Sequence, residues 1–585
     1  MRSPPPSPQS AKEDYQGISR RGFLRGVGLA GLAAGGLCTA TAVAAATGSA
    51  DAAYAEESAA TVGNELIEIY GENVNLMPAY GAEWDVVAGP VGFESREIGA
   101  DEITHTDQCD LLVIGGGISG TMAALKGAEL GANVVVLEKM SKGRNTWESV
   151  GGCGSRMQAE TGNVVDPAQY VEEILRASYW RARPDVVWSF VNNSGEAIDF
   201  MQDSLDKAGR DIKIYNTTQP ETGYGIQVIQ GEHKFAVPED YNWTSWIFGP
   251  IVMDALTAVM QNELHIDLRF NTAGVQLVQD ASGRVTGAVA KDADGYYAVE
   301  ATKGVVLCTG GYEANPDMMK AWTRSEDYAA SSCWDPSTGP TGDGHMMGLQ
   351  LGAQMDPIPH AVMNFNFGTP AQFLDIPGIW FTSSLGIAVN SRGVRFVNEG
   401  LPMNFVSNAI NAQPGRGKGC WIILNQGMVD AMADMQPTAD ETIKQYMDKG
   451  WMFKADTVAD LAPQLGLDAA ILQETVDTYN AYFSSAENKD LQFRRNLETA
   501  MPLAEGPYYG LVTNSTVLTV VGGLTIDESC RVLNWDDEPI EGLYAAGNAS
   551  GGVFSGTYPR HLPATSVGRA ATFGYVSARH AIQGE

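Results

Sequence analysis

Residues 109–120 read Cys-Asp-Leu-Leu-Val-Ile-Gly-Gly-Gly-Ile-Ser-Gly, and this stretch decides the fold. Residues 109–114 have the largely apolar composition of a buried parallel strand. Residues 115–120 match G-x-G-x-x-G, a turn whose glycines let the backbone approach a pyrophosphate at the start of a helix. A strand that ends in this turn predicts a dinucleotide-binding unit.

The residues that follow complete a βαβ unit. Residues 121–130 have a helical pattern, Gly131 ends it, and residues 133–137 form a second apolar strand that closes with Glu138. An acidic residue roughly 20 positions after the glycines can accept the hydrogen bonds of a ribose diol. An isolated glycine-rich turn would not be followed by this helix, strand and acid. The unit predicts cofactor contacts at Gly115, Gly117, Ser119, Gly120 and Glu138.

Composition and charge exclude several classes of protein. The 585 residues are 44% hydrophobic and 18% charged with 66 Gly, unlike a disordered, collagen-like or multi-spanning membrane protein. The net charge of −32 would repel nucleic acid, which is therefore not expected as a partner. The seven Cys are scattered without C-x-x-C or C-x-x-C-H patterns, so we expect no metal and no haem.

An export signal is predicted at the N-terminus. Residues 19–25, Ser-Arg-Arg-Gly-Phe-Leu-Arg, match the twin-arginine pattern and precede an uncharged run, residues 26–50. Residues 53–55, Ala-Tyr-Ala, are a candidate cleavage site. The sequence thus predicts a signal peptide over residues 1–55 and a periplasmic or other extracytoplasmic location. The alternative is that the apolar run is retained as a membrane anchor.

From residue 108 to the C-terminus the chain resembles the FAD-binding flavoproteins related to fumarate reductase, succinate dehydrogenase and 3-ketosteroid dehydrogenase. Motifs similar to those of the family occur in the expected order at residues 143–146 (Gly-Arg-Asn-Thr), 270–275, 283–287, 307–312 (Leu-Cys-Thr-Gly-Gly-Tyr), 341–344 (Thr-Gly-Asp-Gly) and 542–548 (Gly-Leu-Tyr-Ala-Ala-Gly-Asn). The resemblance implies that FAD is the cofactor. It adds cofactor contacts at Asn145, Thr146, Gly151, Gly152, Val275, Gly310, Asp343, Asn548, Thr565 and Ser566.

The same resemblance implies an α/β fold, in which a Rossmann-like FAD-binding domain of the GR2 flavoprotein type is interrupted by an α+β cap domain. The predicted division is a signal peptide (1–55), an N-terminal extension (56–107), the first part of the FAD-binding domain (108–354), the cap (355–514) and the second part of the FAD-binding domain (515–585). No second G-x-G-x-x-G follows a strand, so no nicotinamide domain is evident. Electrons are expected to be exchanged with a cytochrome, a flavoprotein or a quinone-linked membrane protein.

Three charged residues of the fumarate reductase pattern are replaced in this chain. The proton-donating Arg that follows the R-F-V-N-E motif is Met403, the His of H-T-M-G-G is Thr519, and the Arg after the last glycine motif is Tyr558. A buried dicarboxylate without cationic partners is costly. Fumarate and succinate are therefore not expected as substrates.

Residues 557–575 resemble instead the 3-ketosteroid dehydrogenase pattern, whose Tyr and Gly N–H bind the substrate ketone. Tyr558 matches that Tyr, whereas Pro563 near the Gly position has no N–H. Arg560 and His561 fill a one-residue insertion and either supply the missing donor, bind the carboxylate of an aryl-acrylate, or are surface charges. His360 roughly matches a His that polarises substrate in fumarate reductases.

The sequence therefore predicts an FAD-dependent oxidoreductase that acts on CH–CH groups, of a kind used in anaerobic respiration. Hydride would pass from flavin N5 to the β carbon of an enone or aryl-acrylate and a proton to the α carbon, with Tyr558, helped by Arg560 or His561, stabilising the enolate. Three alternatives stay open: a ketosteroid-type dehydrogenase that passes electrons to a quinone, a flavin electron carrier, and a binding protein without redox activity.

Overall fold

The structure is a computed structural model that describes residues 96–143, 149–209, 212–217, 228–236, 249–328, 331–332, 339–365, 385–414, 419–435, 439–485, 488–559 and 561–584. The predicted signal peptide, most of the predicted extension, and Asn145, Thr146 and Arg560 lie outside these residues. Within them, no helix has both the length and the apolar character that crossing a bilayer requires. Nor do these residues contain a group of three His, Cys, Asp or Glu side chains placed to hold a metal ion.

The described strands fall into four sheets. In chain order they are β1 Ile103–Ile114, β2 Val134–Glu138, β3 Ser149–Gly151, β4 Lys213–Asn216, β5 Glu232–Ala236, β6 Asp267–Phe270, β7 Ala273–Gln279, β8 Val285–Asp292, β9 Gly295–Leu307, β10 Ser331–Ser332, β11 Val362–Phe365, β12 Ile387–Val389, β13 Trp421–Asn425, β14 Met452–Ala455, β15 Tyr508–Val512, β16 Thr516–Val520, β17 Arg531–Leu533 and β18 Pro539–Ala545.

The described helices are α1 Ile118–Glu129, α2 Arg156–Thr161, α3 Pro167–Ala177, α4 Pro184–Lys207, α5 Gly249–Ala258, α6 Pro316–Trp322, α7 Ser325–Tyr328, α8 Asp343–Gln350, α9 Met403–Asn411, α10 Gln426–Met435, α11 Ala439–Asp448, α12 Val458–Gln464, α13 Ala469–Ser484 and α14 Thr565–Gln583. Short 3₁₀ helices cover Ala100–Glu102, Leu497–Thr499 and Gly547–Ala549, and a π-helical turn covers Val259–Glu263.

An eight-stranded sheet carries the dinucleotide motif. Its strand order is β17-β18-β9-β1-β2-β6, with the hairpin β7-β8 pairing onto β9. β1 runs parallel to both β2 and β9, and its apolar C-terminal half is fully buried between them. Ligands of open parallel sheets bind beyond the carboxyl ends of the strands. The turn after β1 therefore lies where a dinucleotide binds.

A second hydrophobic core is formed by residues between Ile387 and Leu511. Its antiparallel sheet has the order β12-β13-β15-β14, and α9 to α13 accompany it. A buried ion cluster joins its parts: Arg395 Nη2 lies 2.7 Å from Glu399 Oε2 and 2.9 Å from Asp490 Oδ2. The motif Arg395–Glu399 thus holds this core together, because breaking a buried ion pair leaves an uncompensated charge.

Two smaller sheets bring further residues to the main sheet. The sheet β10-β16-β11 sets Met363 opposite Thr519, and the sheet β3-β5-β4 ends near α14, where Gly151 N donates to Ala564 O at 3.0 Å. The predicted α/β fold class is confirmed by the parallel sheet with its helices and the second, α+β core. The predicted domain boundaries stay a prediction.

Candidate active site

The turn after β1 is closed by backbone contacts that only glycine permits. Gly115 has φ +108°, and a Cβ there would lie 2.2 Å from the carbonyl oxygen of Cys308. A Cβ at Gly120 would lie 1.8 Å from the carbonyl oxygen of Gly115. Gly117 is the N-cap of α1 and offers no capping side chain. The first N–H groups of α1 are therefore left for an anionic ligand such as a pyrophosphate.

Glu138 ends β2 beside this turn. Its Oε2 accepts the N–H of Gly116 and its Oε1 accepts the N–H of Met140, each at 2.7 Å. Burial raises the pKa of Glu138, and these two N–H groups oppose the rise. Each carboxylate oxygen keeps a further lone pair, so Glu138 can still accept ribose hydroxyls.

A partly buried ion pair forms part of the cavity wall. Lys139 Nζ lies 2.6 Å from Asp343 Oδ2 and donates to Thr341 Oγ1 at 2.7 Å. Thr341 in turn donates to Asp343 Oδ1 at 2.8 Å. Asp343 is the first residue of α8, where the helix dipole stabilises a carboxylate. The cation of Lys139 is thus neutralised within the protein.

Tyr558 precedes α14 in the chain, and its hydroxyl contacts the first turn of that helix. Its side chain is buried, and its hydroxyl oxygen accepts the N–H of Ser566 at 3.2 Å. An N–H donor in the first turn of a helix stabilises negative charge on the oxygen it contacts. The hydroxyl itself donates a long hydrogen bond to Leu562 O at 3.5 Å, which a closer ligand oxygen would replace.

The neighbouring Thr565 is hydrogen-bonded within the protein. Its hydroxyl donates to Leu562 O at 2.9 Å and lies 2.8 Å from the hydroxyl of Tyr170 on α3. Gly151 serves close packing here, since a Cβ on the facing Gly568 would lie 1.7 Å from Gly151 O. These contacts with α3 and β3 hold the start of α14 in position.

A polar chain connects a buried arginine to the cavity. Arg569 is fully buried and donates to Asn548 Oδ1 at 2.7 Å, while Asn548 Nδ2 donates to Thr519 Oγ1 at 2.7 Å. Burial lowers the pKa of Arg569 to about 10, although Asp356 nearby favours its charge. Asn548 and Thr519 are thus held in fixed orientations on the cavity wall.

One open cavity is lined by the glycine turn together with Glu138, Lys139, Asp343, Thr519, Asn548 and Tyr558. Its lining runs from the glycine turn after β1 to Tyr558 and the first turn of α14. Among the described residues that line it, Lys139 is the only basic side chain, whereas Glu138, Glu313 and Asp343 are acidic.

Comparison with known proteins decides which dinucleotide this is. Residues 110–561 match the FAD binding domain family. The chain belongs to this family. The fold likeness extends to a solved 3-ketosteroid Δ1-dehydrogenase from Sterolibacterium denitrificans, with a TM-score of 0.69 at 21% identity over 82% of this chain and 100% of that one.

Two known proteins are similar to this chain over most of their length. The chain is 28% identical to the vinyl phenol reductase of Lactiplantibacillus plantarum over 82% of this chain and 97% of the relative. It is 29% identical to the urocanate reductase of Eggerthella lenta over 76% of this chain and 70% of the relative. The predictions of FAD as cofactor and of an FAD-dependent oxidoreductase are confirmed.

The described residues fit FAD. The glycine turn gives a cradle that a Cβ at Gly115 or Gly120 would obstruct, and Glu138 stands where the ribose of the family's cofactor requires an acceptor. Thr309 lines the cavity with a buried hydroxyl that has no hydrogen-bond partner among the described residues. A bound FAD would supply partners to such groups.

The structure brings many of the predicted site residues together. Those that line the cavity are Gly115, Gly117, Ser119, Glu138, Gly310, Asp343, Asn548, Tyr558 and Ser566. Gly120, Gly151, Gly152, Val275 and Thr565 lie outside the described lining; for Val275, the preceding Ala273 and Gly274 line the cavity. The roles assigned to all these residues stay predictions, as do those of Asn145, Thr146 and Arg560 outside the described residues.

The two histidines proposed for catalysis are engaged within the protein. His360 is buried, with Nδ1 2.6 Å from the Tyr312 hydroxyl and Nε2 3.0 Å from Asp356 O. Burial lowers the pKa of His360 to about 4, so its ring is neutral near pH 7. His561 has Nε2 2.7 Å from Glu173 Oε1. Neither histidine belongs to the described cavity lining.

Several lining residues were not identified from the sequence as contacts. They include Lys139, Thr309, Glu313, Met363, Leu518 and Thr519, of which Thr519 was noted only as a replaced histidine. For Lys139 a signal was present, because it directly follows Glu138 at the end of a parallel strand. Met363 and Leu518 carry no signal, since an apolar residue in a short strand is equally typical of a core.

Gly120→Ala should abolish FAD retention. The added methyl group would meet the carbonyl oxygen of Gly115 at 1.8 Å, which forces the glycine turn open. Flavin absorbance per protein after purification measures the loss. Gly427→Ala is the matched control, because a Cβ there finds its nearest heavy atom at 3.6 Å. Full flavin content in Gly120→Ala would contradict the placement of the turn.

Proposed function

We propose that this protein is an exported FAD-dependent reductase that saturates the C=C bond of an α,β-unsaturated carbonyl compound of the enone or aryl-acrylate type, with electrons from a separate respiratory donor. Fumarate is not the substrate in this proposal. The observation that carries it is the charge of the cavity wall. Its one described basic side chain, Lys139, is paired with Asp343, and the remaining charged side chains of the described lining, Glu138 and Glu313, are acidic.

A cavity of this charge disfavours a dianion. Desolvating two carboxylates is repaid only by cationic partners at hydrogen-bond distance. Thr519 and Tyr558, which stand where fumarate reductases carry charged residues, both line the cavity with neutral hydroxyls. Met403 packs with its apolar side chain against the main core. Neutral enones are therefore favoured over acrylates, and both over fumarate.

The described residues provide the hydrogen-bond donors that such a reaction needs. When bound, FAD carries the two electrons that the reduction needs. Tyr558 donates a hydrogen bond from its hydroxyl to the carbonyl oxygen of the substrate, on which negative charge develops. The N–H of Ser566 stabilises the Tyr558 oxygen as its proton is shared. The relatives named for vinyl phenol and urocanate reduction support a conjugated C=C bond as the target.

The test is anaerobic. The purified holoenzyme is reduced with dithionite, and flavin absorbance is followed while fumarate, urocanate, cinnamate, 4-vinylphenol and a ketosteroid enone are added in turn. We expect rapid reoxidation by a substrate other than fumarate, with the saturated product detected by mass spectrometry. Reoxidation by fumarate alone would contradict the argument from cavity charge.

Tyr558→Phe should lower kcat for the substrate found in this panel by roughly 100-fold or more, the range of general acid catalysis. FAD content should stay unchanged, because the aromatic ring that packs beside Phe554 is retained. Stopped-flow reoxidation of the reduced flavin measures the effect. Tyr575→Phe is the control, since that hydroxyl donates to Glu196 on the outer side of α14. Equal rates in both variants would remove Tyr558 from the mechanism.

A ketosteroid-type dehydrogenase with a quinone acceptor is the second candidate, favoured by the position of Tyr558 in the cavity wall. This candidate catalyses the reverse reaction: it introduces a C=C bond, whereas the first candidate reduces one. Oxidised enzyme incubated with a saturated 3-ketosteroid and a soluble quinone would form the enone only if this candidate is right. An electron carrier would show no product in either assay.

We also propose export by the twin-arginine pathway, on the evidence of residues 19–25. Replacing Arg20 and Arg21 together by Lys should leave the full-length precursor in the cytoplasm, because that pathway reads the paired guanidinium groups. Fractionation of cells followed by immunoblotting measures this. Substitution of Arg2 by Lys, outside the motif, is the control. Unchanged export of the double variant would exclude this route.

A further inference from the structure

Three buried hydroxyl groups and one carbonyl oxygen connect α3 to the Tyr558 segment. Leu562 O accepts the hydroxyl of Thr565 at 2.9 Å, the N–H of Thr565 at 3.4 Å and the hydroxyl of Tyr558 at 3.5 Å. Thr565 Oγ1 lies 2.8 Å from the hydroxyl oxygen of Tyr170 on α3. The side chains of Tyr170, Tyr558 and Thr565 are all buried. These groups therefore bond to each other instead of to bulk water.

The direction of the hydrogen bonds in this chain follows from the chemistry of its members. A hydroxyl has one hydrogen to donate, and a carbonyl oxygen only accepts. Because the Thr565 hydroxyl donates to Leu562 O, its oxygen accepts the hydrogen of Tyr170. Burial raises the pKa of Tyr170, so its hydroxyl keeps the hydrogen that it donates. The chain of donors therefore runs from Tyr170 through Thr565 to Leu562 O.

Thr565 and Tyr558 compete for this one carbonyl oxygen. Leu562 O has two lone pairs, and the short bond from the Thr565 hydroxyl uses one of them. Successive hydrogen bonds polarise each other, so donation by Tyr170 strengthens the bond from Thr565 to Leu562 O. The Tyr558 hydroxyl is left 3.5 Å from the same oxygen, beyond the roughly 2.5–3.0 Å usual for O–H···O bonds. Leu562 O therefore holds the Tyr558 hydrogen only weakly.

The oxygen of Tyr558 is held from a second direction. It accepts the N–H of Ser566 at 3.2 Å, and Ser566 follows Thr565 in the first turn of α14. The Tyr558 ring packs against Phe554, with the ring centroids 5.2 Å apart. The position of the phenol thus depends on Ser566 and Phe554, whereas the competition for its hydrogen depends on Thr565.

We propose that Tyr170 and Thr565 are positioning residues for Tyr558: their hydrogen bonds satisfy Leu562 O, so that the Tyr558 hydroxyl donates to the substrate carbonyl oxygen instead. The inference rests on the proposed function, in which Tyr558 contacts that oxygen. Neither Tyr170 nor Thr565 belongs to the described cavity lining, so both act through Tyr558. Thr565 thereby has a role different from the cofactor contact that the family resemblance implies.

Thr565→Val tests the proposal, because it removes the hydroxyl and keeps the shape of the side chain. Leu562 O then loses its shortest hydrogen bond, and the Tyr558 hydroxyl becomes its main side-chain donor. With the substrate identified by the reoxidation panel, we expect the rate of flavin reoxidation at saturating substrate to fall roughly fivefold, the equivalent of one neutral hydrogen bond. Thr565→Ser keeps the hydroxyl and should restore the rate.

Thr572→Val is the matched control. Thr572 is also fully buried on α14, and its hydroxyl has no hydrogen-bond partner among the described residues. The same substitution on the same helix should therefore leave the rate of reoxidation unchanged. Flavin absorbance and Tm establish that each variant is folded.

A double-mutant cycle separates positioning from a structural role. If Thr565 acts only through the Tyr558 hydroxyl, Thr565→Val should cause no further loss of rate once Tyr558→Phe is present. A structural role would slow both backgrounds equally. Tyr170→Phe should follow the same pattern with a smaller fall, because Thr565 still donates to Leu562 O in that variant. It carries the cycle should Thr565→Val lose its flavin.

A spectroscopic measurement reports on the hydrogen bond itself. The saturated product keeps its carbonyl group, whose stretching frequency falls as the hydrogen bond that it accepts becomes stronger. Isotope-edited infrared spectra of labelled product bound to the oxidised holoenzyme should show a higher C=O frequency in Thr565→Val than in the wild type. Thr572→Val should give the wild-type frequency.

The results tell failure of the inference from failure of the function on which it rests. A wild-type enzyme that turns over, with Thr565→Val equally slow relative to its parent in both backgrounds, overturns the inference alone. A folded Thr565→Val with the wild-type rate and C=O frequency does the same. A wild-type enzyme that no compound of the panel reoxidises overturns both.

Discussion

The site depends on two helices that touch through glycine. A Cβ at Gly574 of α14 would lie 2.0 Å from the carbonyl oxygen of Ser119 on α1, and one at Gly568 would lie 1.7 Å from Gly151 O. No side chain separates α14 from α1 at Gly574, or α14 from β3 at Gly568. The N-termini of α1 and α14 therefore converge on one cavity, which the glycine turn and Tyr558 both line. A methyl group at either glycine would displace one wall of the cavity from the other.

The part of this arrangement that the sequence predicts is local in the chain. The glycine turn, α1 and Glu138 lie within a single βαβ unit, where spacing alone determines which residues meet. The family resemblance added Asp343, Asn548 and Tyr558, which the structure places on the cavity wall. The sequence can predict these positions because they lie in short motifs. In such motifs the backbone geometry allows few residue types at each position.

What the sequence leaves open is the partner of each polar side chain. Lys139 pairs with a carboxylate 204 positions away and His561 with one 388 positions away, and no periodicity relates such residues. Thr565 illustrates the same difficulty, because its hydroxyl is captured by Tyr170, 395 positions earlier. Residue type shows what chemistry a side chain can perform. Only tertiary packing decides whether it faces the ligand or another part of the chain.

Part of the cavity wall belongs to a different sheet from the one that carries the glycine turn. Met363, Leu518 and Thr519 come from β11 and β16, whereas the glycine turn and Glu138 belong to the eight-stranded sheet. Cofactor retention rests largely on backbone atoms and glycines, which tolerate little change. The side chains of the small sheet are free of that constraint. In evolutionary terms, members of such a lineage can exchange one substrate for another by drift in three short strands while the flavin stays bound.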